Sequence, residues 1–327
     1  MFGNTRGWII ASVVLLLEVL LIVWLFKLDD VSSPTEMGTN PANLAAVNVP
    51  FDMRSLVQAT NPTDAGPLYR QAVREMSTNK LIYERFAQRP DAQTLTTLDA
   101  FKFLLEARTM SKAKIFADHL DEVLRYNQPD RDGLNALDTL GKGLLAAGTI
   151  NMVEKPEEAR KYFEAAFNLG FHLYEERIVF QQIQIGMNLM AVSADGLASL
   201  PVVASEAGGA SEAKFKAFRD ARATYFTDRV MPIWGVITAV DQNKIGRHSG
   251  DIFAFAKNSQ DRVWKVEAIL KLGRMRYSVG TGGRAGDQKG ADRLLREIID
   301  SPSSDPVLKK AAQLALDLTV EQYRTLQ

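Results

Sequence analysis

Histidine and carboxylate side chains come closest, in this chain, to a pattern that could bind a metal or move a proton. Residues 112–126 are predicted to be helical, which places Asp118 and Glu122 on one face, with His119 and Asp121 between them. One helix supplies only some of the ligands of a closed metal site, and no second motif is spaced to complete this one. We therefore interpret the group as a solvated acidic face.

His172, Glu175 and Glu176 form a second group of this kind. They match half of a metallopeptidase-like pattern, but the second histidine that would complete the zinc ligands is missing. We interpret them as exposed side chains or as a contact at a helix end. The chain also has no cysteine and no Gly-x-Ser-x-Gly motif, and His248 lies in a Gly/Ser segment. The sequence thus disfavours an ordinary hydrolase and predicts no catalytic residue, metal or cofactor.

The strongest charge asymmetry lies in residues 257–296, which contain ten basic and four acidic residues although the whole chain is neutral. These ten define a candidate basic face: Lys257, Arg262, Lys265, Lys271, Arg274, Arg276, Arg284, Lys289, Arg293 and Arg296. Such a face can meet an acidic protein, an anionic lipid surface or an envelope polymer, and an ordinary solvated surface is the other interpretation. No nucleic acid is expected, because the net charge gives no global attraction.

A glycine-rich segment, 280–290, lies within this basic region. It fits neither the dinucleotide-binding nor the P-loop fingerprint, since no strand precedes it and no Gly-Lys-Ser/Thr closes it. We interpret it as an interhelical loop. Anion binding at the start of the following helix is the alternative.

Arg177, Gln181, Gln184 and Asn188 form a polar stripe at spacings of four, three and four on a predicted helix. Amides in such a row can line a groove that hydrogen-bonds an extended peptide, so the stripe is a candidate partner-binding groove. They can equally cross-link neighbouring helices, because buried amides must find partners.

Helical periodicity runs through almost the whole chain from residue 63, and no alternating strand is evident. Predicted helices cover roughly 64–76, 81–87, 91–110, 112–126, 132–151, 155–170, 172–200, 211–231, 233–245, 251–257, 260–279, 291–300 and 305–326. Asp91 is predicted as a helix cap, Gly170 as a helix end or bend, and Pro232 as a break or kink. The helix from 172 is apolar on more than half of its surface, so we expect it at the centre of the core.

Residues 8–26 are apolar except for Ser12 and Glu18. A helix of this length spans about 28 Å, close to the hydrocarbon thickness of a bilayer. We predict an uncleaved single-pass anchor, whereas a cleaved signal peptide competes but lacks a small-x-small site just beyond the run. Ala11, Glu18 and Ile22 share one face and form a candidate contact with another transmembrane helix, with a tolerated neutral acid as the alternative.

Charges around this run predict its orientation in the inner cell membrane. Arg6 precedes it, whereas Lys27 after it is followed by two aspartates. The slight positive-inside bias predicts a cytoplasmic N-terminus and a soluble domain on the periplasmic or extracytoplasmic side. The predicted domains are a tail and anchor at 1–28, a flexible linker at 29–50 and a helical domain at 51–327, with subdivision near 201–210 as an option.

One helix pair resembles the tetratricopeptide repeat over residues 140–173. The matching positions are Ala147 and Ile150 in the first helix and Ala159, Phe163 and Ala166 in the second. The pattern departs from the family in having no Trp and no Leu-Gly pair, and Phe171 stands where proline is expected. A looser echo comprises Leu272, Gly273, Tyr277, Ala291 and Leu295.

The resemblance implies a tetratricopeptide-like or HEAT-like array that binds protein or peptide on a concave face. The sequence therefore predicts an all-α fold: one N-terminal transmembrane helix, then an irregular α-solenoid-like array of antiparallel helix pairs. We expect a non-catalytic scaffold or assembly factor with a protein partner. The alternatives are an envelope domain that recognises an anionic polymer or lipid through the basic face and, third, an enzyme.

Overall fold

The computed structural model describes residues 51–56, 59–200, 210–239, 245–277 and 285–326. The predicted anchor with Ala11, Glu18 and Ile22, the linker, the 201–209 part of the optional boundary and Arg284 all lie outside these residues and stay predictions. Within the described ranges, no helix combines the length and apolarity needed to cross a membrane.

The first described elements are short helices around a pair of strands. A 3-10 turn (Met53–Leu56) precedes strand β1 (Asn61–Asp64), which is followed by helices α1 (Gly66–Thr78), α2 (Lys80–Gln88), α3 (Ala92–Leu95) and α4 (Ala100–Ala107). Strand β2 (Met110–Lys112), the one-turn helix α5 (Leu120–Val123) and a 3-10 turn (Gln128–Asp130) lead to the long helices.

Three long helices form the middle of the chain: α6 (Asp132–Asn151), α7 (Pro156–Glu176) and α8 (Phe180–Ala198). They are followed by α9 (Ala210–Tyr225), a π-helical turn (Phe226–Val230), α10 (Met231–Ala239), α11 (Ile245–Asn258), α12 (Arg262–Met275), α13 (Ala285–Asp300), α14 (Pro306–Asp317) and α15 (Val320–Thr325). The predicted all-α fold class is confirmed at this level.

The prediction that the domain has no strand is wrong. β1 and β2 pair in parallel, with Asn61 opposite Met110 and Asp64 opposite Lys112. The β1 sequence Asn-Pro-Thr-Asp has a turn composition and no alternation, so no local signal marks a strand. The pairing depends instead on the crossover through α1 to α4, which returns the chain beside its starting point.

Helices α7 and α8 form the centre of the core, and α8 is buried on most of its surface, as predicted for this segment. The two helices cross at a pair of glycines. A Cβ atom on Gly186 would lie 2.5 Å from the Gly170 carbonyl oxygen, and one on Gly170 would lie 2.6 Å from the Gly186 carbonyl oxygen. Only glycine at both positions permits this approach.

The boundary between α7 and α8 differs from the prediction. Helix α7 continues through Gly170 to Glu176, because that glycine serves the crossing with α8 and does not end the helix. The chain then reverses at Arg177, whose φ of 24° lies in the left-handed region. The predicted helix 172–200 is therefore two helices, and His172 belongs to the first of them.

The predicted helix 112–126 is also wrong. Lys112 ends β2, residues 113–119 form a loop that we call the wall loop, and only α5 is helical. Side chains distant in sequence hold this loop in place: Asp64 Oδ1 accepts the Lys114 N–H at 2.8 Å, and Glu176 Oε1 accepts the Phe116 N–H at 2.8 Å. The continuous Asp118 and Glu122 face therefore does not exist.

Several other predicted boundaries shift. The predicted helix 91–110 is divided between α3 and α4, and 305–326 between α14 and α15. Residues 246–250 are part of α11, and α13 begins six residues earlier than expected. Asp91 caps α3 as predicted, accepting the Thr94 N–H at 2.7 Å. Pro232 follows a π-helical turn, which accommodates its missing N–H and its ring.

We predict that Gly186→Ala lowers the free energy of unfolding by about 1–3 kcal/mol, because the new methyl group forces α7 and α8 apart. Gly235→Ala is the matched control, since among the described residues no atom outside its own helix backbone lies within 4 Å of a Cβ there. That control should be neutral or stabilising by up to about 1 kcal/mol, as expected for alanine in a helix. Urea unfolding measures both, and equal behaviour of the two variants would refute the close crossing.

Candidate functional site

A cleft of about 520 Å³ opens between α1, the wall loop and the first turns of α6, and we call it the α1 cleft. Its apolar lining comprises Tyr69, Val73, Ile115, Phe116, Gly133 and Leu137. Its polar lining comprises Arg70, Arg74, His119 and Glu122. The apolar floor is largely buried, whereas Arg74, His119 and Glu122 are exposed at the rim.

Helix α1 supplies one side of the cleft through its 3.6-residue period. Tyr69 and Val73 are four residues apart, as are Arg70 and Arg74, so the four form adjacent apolar and basic rows. The start of α1 is packed against the wall loop, because a Cβ on Gly66 would lie 2.2 Å from the Lys114 carbonyl oxygen. Asp64 ties the same two segments together by accepting the N–H groups of both residues.

The wall loop forms the opposite side, and two charged side chains fix it. Arg70 Nη1 donates to the carbonyl oxygens of Lys114 at 3.0 Å and Ile115 at 3.2 Å. Buried Glu176 accepts the N–H groups of Phe116 and Ala117 through Oε1, and the Gln182 amide at 2.9 Å through Oε2. Burial raises the pKa of Glu176, although these hydrogen bonds oppose the shift. The cleft is thus preorganised rather than formed by a free loop.

Tyr69, in the floor of the cleft, forms a buried polar pair with His172. Tyr69 Oη and His172 Nδ1 are 2.8 Å apart, and the two rings meet edge to face. Burial lowers the pKa of His172 to about 4, while Asp64 and the Met110 carbonyl oppose the shift. Burial also raises the pKa of Tyr69. Both side chains are therefore neutral near pH 7, and the pair serves to fix the orientation of Tyr69.

The rim of the cleft carries more positive than negative charge. Within the described part of the chain, Arg74 has no ion-pair partner, and Arg70 uses Nη1 for its two hydrogen bonds to the wall loop. The one acid in the lining, Glu122, has Oε1 4.0 Å from His119 Nδ1. The cleft therefore suits a ligand that carries an apolar group next to a carboxylate, because guanidinium groups bind carboxylates with good geometry.

The predicted acidic and histidine groups do not converge into a catalytic or metal-binding cluster. Asp121 forms an ion pair with Lys310 at 2.8 Å, and Glu175 one with Arg54 at 2.6 Å. His172 and Glu176 are buried, so the interpretation as exposed side chains is wrong for both, while Glu176 does make a helix-end contact. Among the residues that the structure describes, no three His, Asp or Glu side chains are placed to hold a metal ion.

The predicted amide stripe makes contacts between helices. Buried Gln181 donates to Asn135 Oδ1 at 2.9 Å and accepts from Arg131 at 3.4 Å, and exposed Asn188 accepts from Arg222 at 3.0 Å. Arg177 lies outside the helix, with Nε 3.6 Å from Asp261 Oδ2, and Gln184 is half-buried. These contacts support the cross-linking alternative, and the groove stays a prediction.

The predicted basic face is partly used inside the protein. Arg262 donates to the Glu176 carbonyl at 2.8 Å, Arg274 to the Leu326 carbonyl at 2.6 Å, and Arg276 to the carbonyls of Ala315 and Leu316. Lys271 is buried, Lys265 is half-buried and Arg293 pairs with Glu297 at 3.8 Å. Lys257, Lys289 and Arg296 are exposed.

Sequence reasoning missed the α1 cleft. The paired i, i+4 rows on α1 are visible in the sequence. The opposite side of the cleft is not, because its residues are predicted as part of a helix at 112–126 and form the wall loop instead. Without the wall loop, Arg70 and Arg74 are ordinary basic residues of a surface helix.

Comparison of the chain with protein-family models, with curated proteins and with solved structures finds no match.

We predict that His172 makes stability depend on pH between about 6.5 and 4. In this pH range His172 is protonated in the unfolded chain but neutral in the folded one. His172 therefore lowers the free energy of unfolding as the pH falls, by up to about 3 kcal/mol. In His172→Gln, a non-titrating side chain keeps a hydrogen-bonding group near Tyr69. The free energy of unfolding of this variant, relative to that of the wild type, should therefore rise steadily as the pH falls through this range.

His119→Gln is the control, because His119 is exposed at the cleft rim. Urea unfolding of both variants and of the wild type from pH 7 to 4.5 measures these differences. A constant difference between His172→Gln and wild type over the same range would contradict the buried neutral histidine.

Proposed function

We propose that this chain is a membrane-anchored, all-α scaffold or assembly factor that performs no chemistry of its own and binds a segment of another protein in the α1 cleft. The single observation that supports this function is the cleft itself, with its apolar floor, arginine-bearing rim and walls fixed by buried hydrogen bonds. The anchor at 8–26 and an α-solenoid-like, tetratricopeptide-related arrangement of the helices are parts of the same proposal.

The chemistry of the cleft favours one kind of partner segment. Its volume of about 520 Å³ admits a few side chains and not a folded domain. Half-buried Val73 and Gly133, over a buried apolar floor, offer an apolar contact, while Arg70 and Arg74 attract negative charge. The partner segment therefore places an aliphatic or aromatic side chain on the floor and an adjacent Asp, Glu or terminal carboxylate against the arginines.

Recognition of an anionic polymer or lipid through the basic face is the second candidate function. Its support is the local excess of positive charge in the sequence. However, Arg262, Arg274 and Arg276 donate to backbone carbonyls of their own domain, which leaves fewer side chains for a polymer. The cleft is therefore the better-supported site.

The test begins with a photo-crosslinking amino acid placed at Arg74 in living cells, with Val320 as the control position because it is exposed on α15. We expect one protein adduct that forms at Arg74 and not at Val320. The same protein, purified, must then bind the full chain directly.

Substitutions of residues that line the cleft should weaken that binding. Arg74→Glu should lower the affinity by about tenfold or more, as expected for loss of a hydrogen bond to a charged group. Gly133→Leu should also weaken it, because the new side chain starts 3.3 Å from the Phe116 ring and occupies the cleft.

Arg296→Glu is the matched control, since Arg296 is exposed and belongs to the basic face. If it weakens binding while Arg74→Glu and Gly133→Leu do not, the rival site is correct and the cleft proposal fails.

A further inference from the structure

The outer surface of α2 exposes apolar side chains beside cations. Leu81 and Ile82, in its first turn, have relative exposures of 76% and 44%. Arg85 follows on the same helix, Arg89 comes directly after its last residue, and both are exposed. We call these four residues the α2 ridge, which borders a groove of about 490 Å³ between α2 and α3.

The ridge is rigidly held from the inside. Tyr83 is buried and its hydroxyl oxygen accepts the Ala100 N–H at 3.0 Å, and the buried Phe86 ring packs edge to face on Phe101. These inner contacts fix the rotation of α2 about its axis. Leu81 and Ile82 therefore point outward because the packing of the opposite side requires it, and their exposure is not a local fraying of the helix.

Charges around the ridge leave its arginines available. Glu84 Oε1 lies 3.8 Å from Lys80 Nζ, and Asp91 Oδ1 accepts the Thr94 N–H as the cap of α3. Within the described ranges, neither Arg85 nor Arg89 has an ion-pair partner. The surface thus combines two protruding apolar side chains with two guanidinium groups that form no ion pair with a described residue, although Asp91 borders the same groove.

We propose that the α2 ridge rests on the surface of an anionic lipid bilayer, with Leu81 and Ile82 in the interface and Arg85 and Arg89 beside lipid phosphates. Apolar side chains flanked by long cations are the combination that binds such interfaces, because the cations stay at headgroup level while the apolar groups go deeper. The ridge is separate from the α1 cleft and sets how the domain lies on the membrane.

The rest of the chain makes a bilayer the fitting occupant. The predicted transmembrane run ends at residue 26, and the described chain begins at Phe51, so 24 residues intervene. Whatever their conformation, they reach at most about 85 Å. A domain tethered within that distance meets the lipid surface at high effective concentration, so a small apolar and basic patch is enough to orient it.

The absence of native cysteine allows a direct test with single-cysteine variants of the full chain. Leu81→Cys carries an environment-sensitive fluorophore, and the protein is reconstituted with vesicles of phosphatidylcholine alone or mixed with phosphatidylglycerol. Spin-labelled phospholipid quenches the fluorophore only on contact. We expect a blue shift and quenching at Leu81 in the anionic vesicles, weaker signals in the neutral ones, and neither at the control Val320→Cys.

Removal of the two arginine charges should then reduce the contact of the fluorophore with the lipid. In Leu81→Cys with Arg85→Gln and Arg89→Gln, the equilibrium constant for the quenched state should fall about fivefold for each arginine lost. Arg293→Gln with Arg296→Gln is the matched control on exposed arginines of α13 and should leave quenching unchanged.

Three results would overturn the proposal. They are no lipid quenching at Leu81, equal quenching at Val320, and a blue shift at Leu81 that requires an added protein instead of anionic lipid. The last of these would assign the ridge to a protein partner.

Discussion

The turn between α7 and α8, together with the helix ends that adjoin it (residues 176–182), is the constraint on which most of the structure depends. Side chains of α8 and α12 accept hydrogen bonds from its backbone N–H groups. Gln182 Oε1 accepts the N–H groups of Ile178 and Val179, and Glu267 from α12 accepts the Phe180 N–H at 2.8 Å. These contacts supply the partners that the free N–H groups at the start of α8 require, with a carboxylate at the positive end of the helix dipole.

The same turn connects the core to the candidate site. Glu176 ends α7 and holds the wall loop, while its carbonyl oxygen accepts from Arg262 of α12 at 2.8 Å. The position of Phe116 in the α1 cleft is therefore determined by the packing of α7 on α8. Because the Gly170 and Gly186 crossing sets that packing, a disturbance there should reach the cleft, although the glycines do not line it.

Local signals in the sequence account for the elements that were predicted well. Helix α6 lies where its periodicity places it, and Asp91 caps α3. The failures share a different cause. The wall loop and the α7–α8 turn are both set by hydrogen-bond acceptors that are distant in sequence, and the cleft joins α1 to a loop some 45 residues later. Residue spacing carries no information about such partners.

The central claim is that Arg74 contacts an acidic group of a partner segment bound in the α1 cleft. A double-mutant cycle between Arg74→Leu and neutralisation of each partner carboxylate in turn measures this contact most directly. The account predicts a coupling energy of about 1 kcal/mol or more for one carboxylate and almost none for the others. Coupling energies near zero for every carboxylate, with the partner still bound, would contradict it.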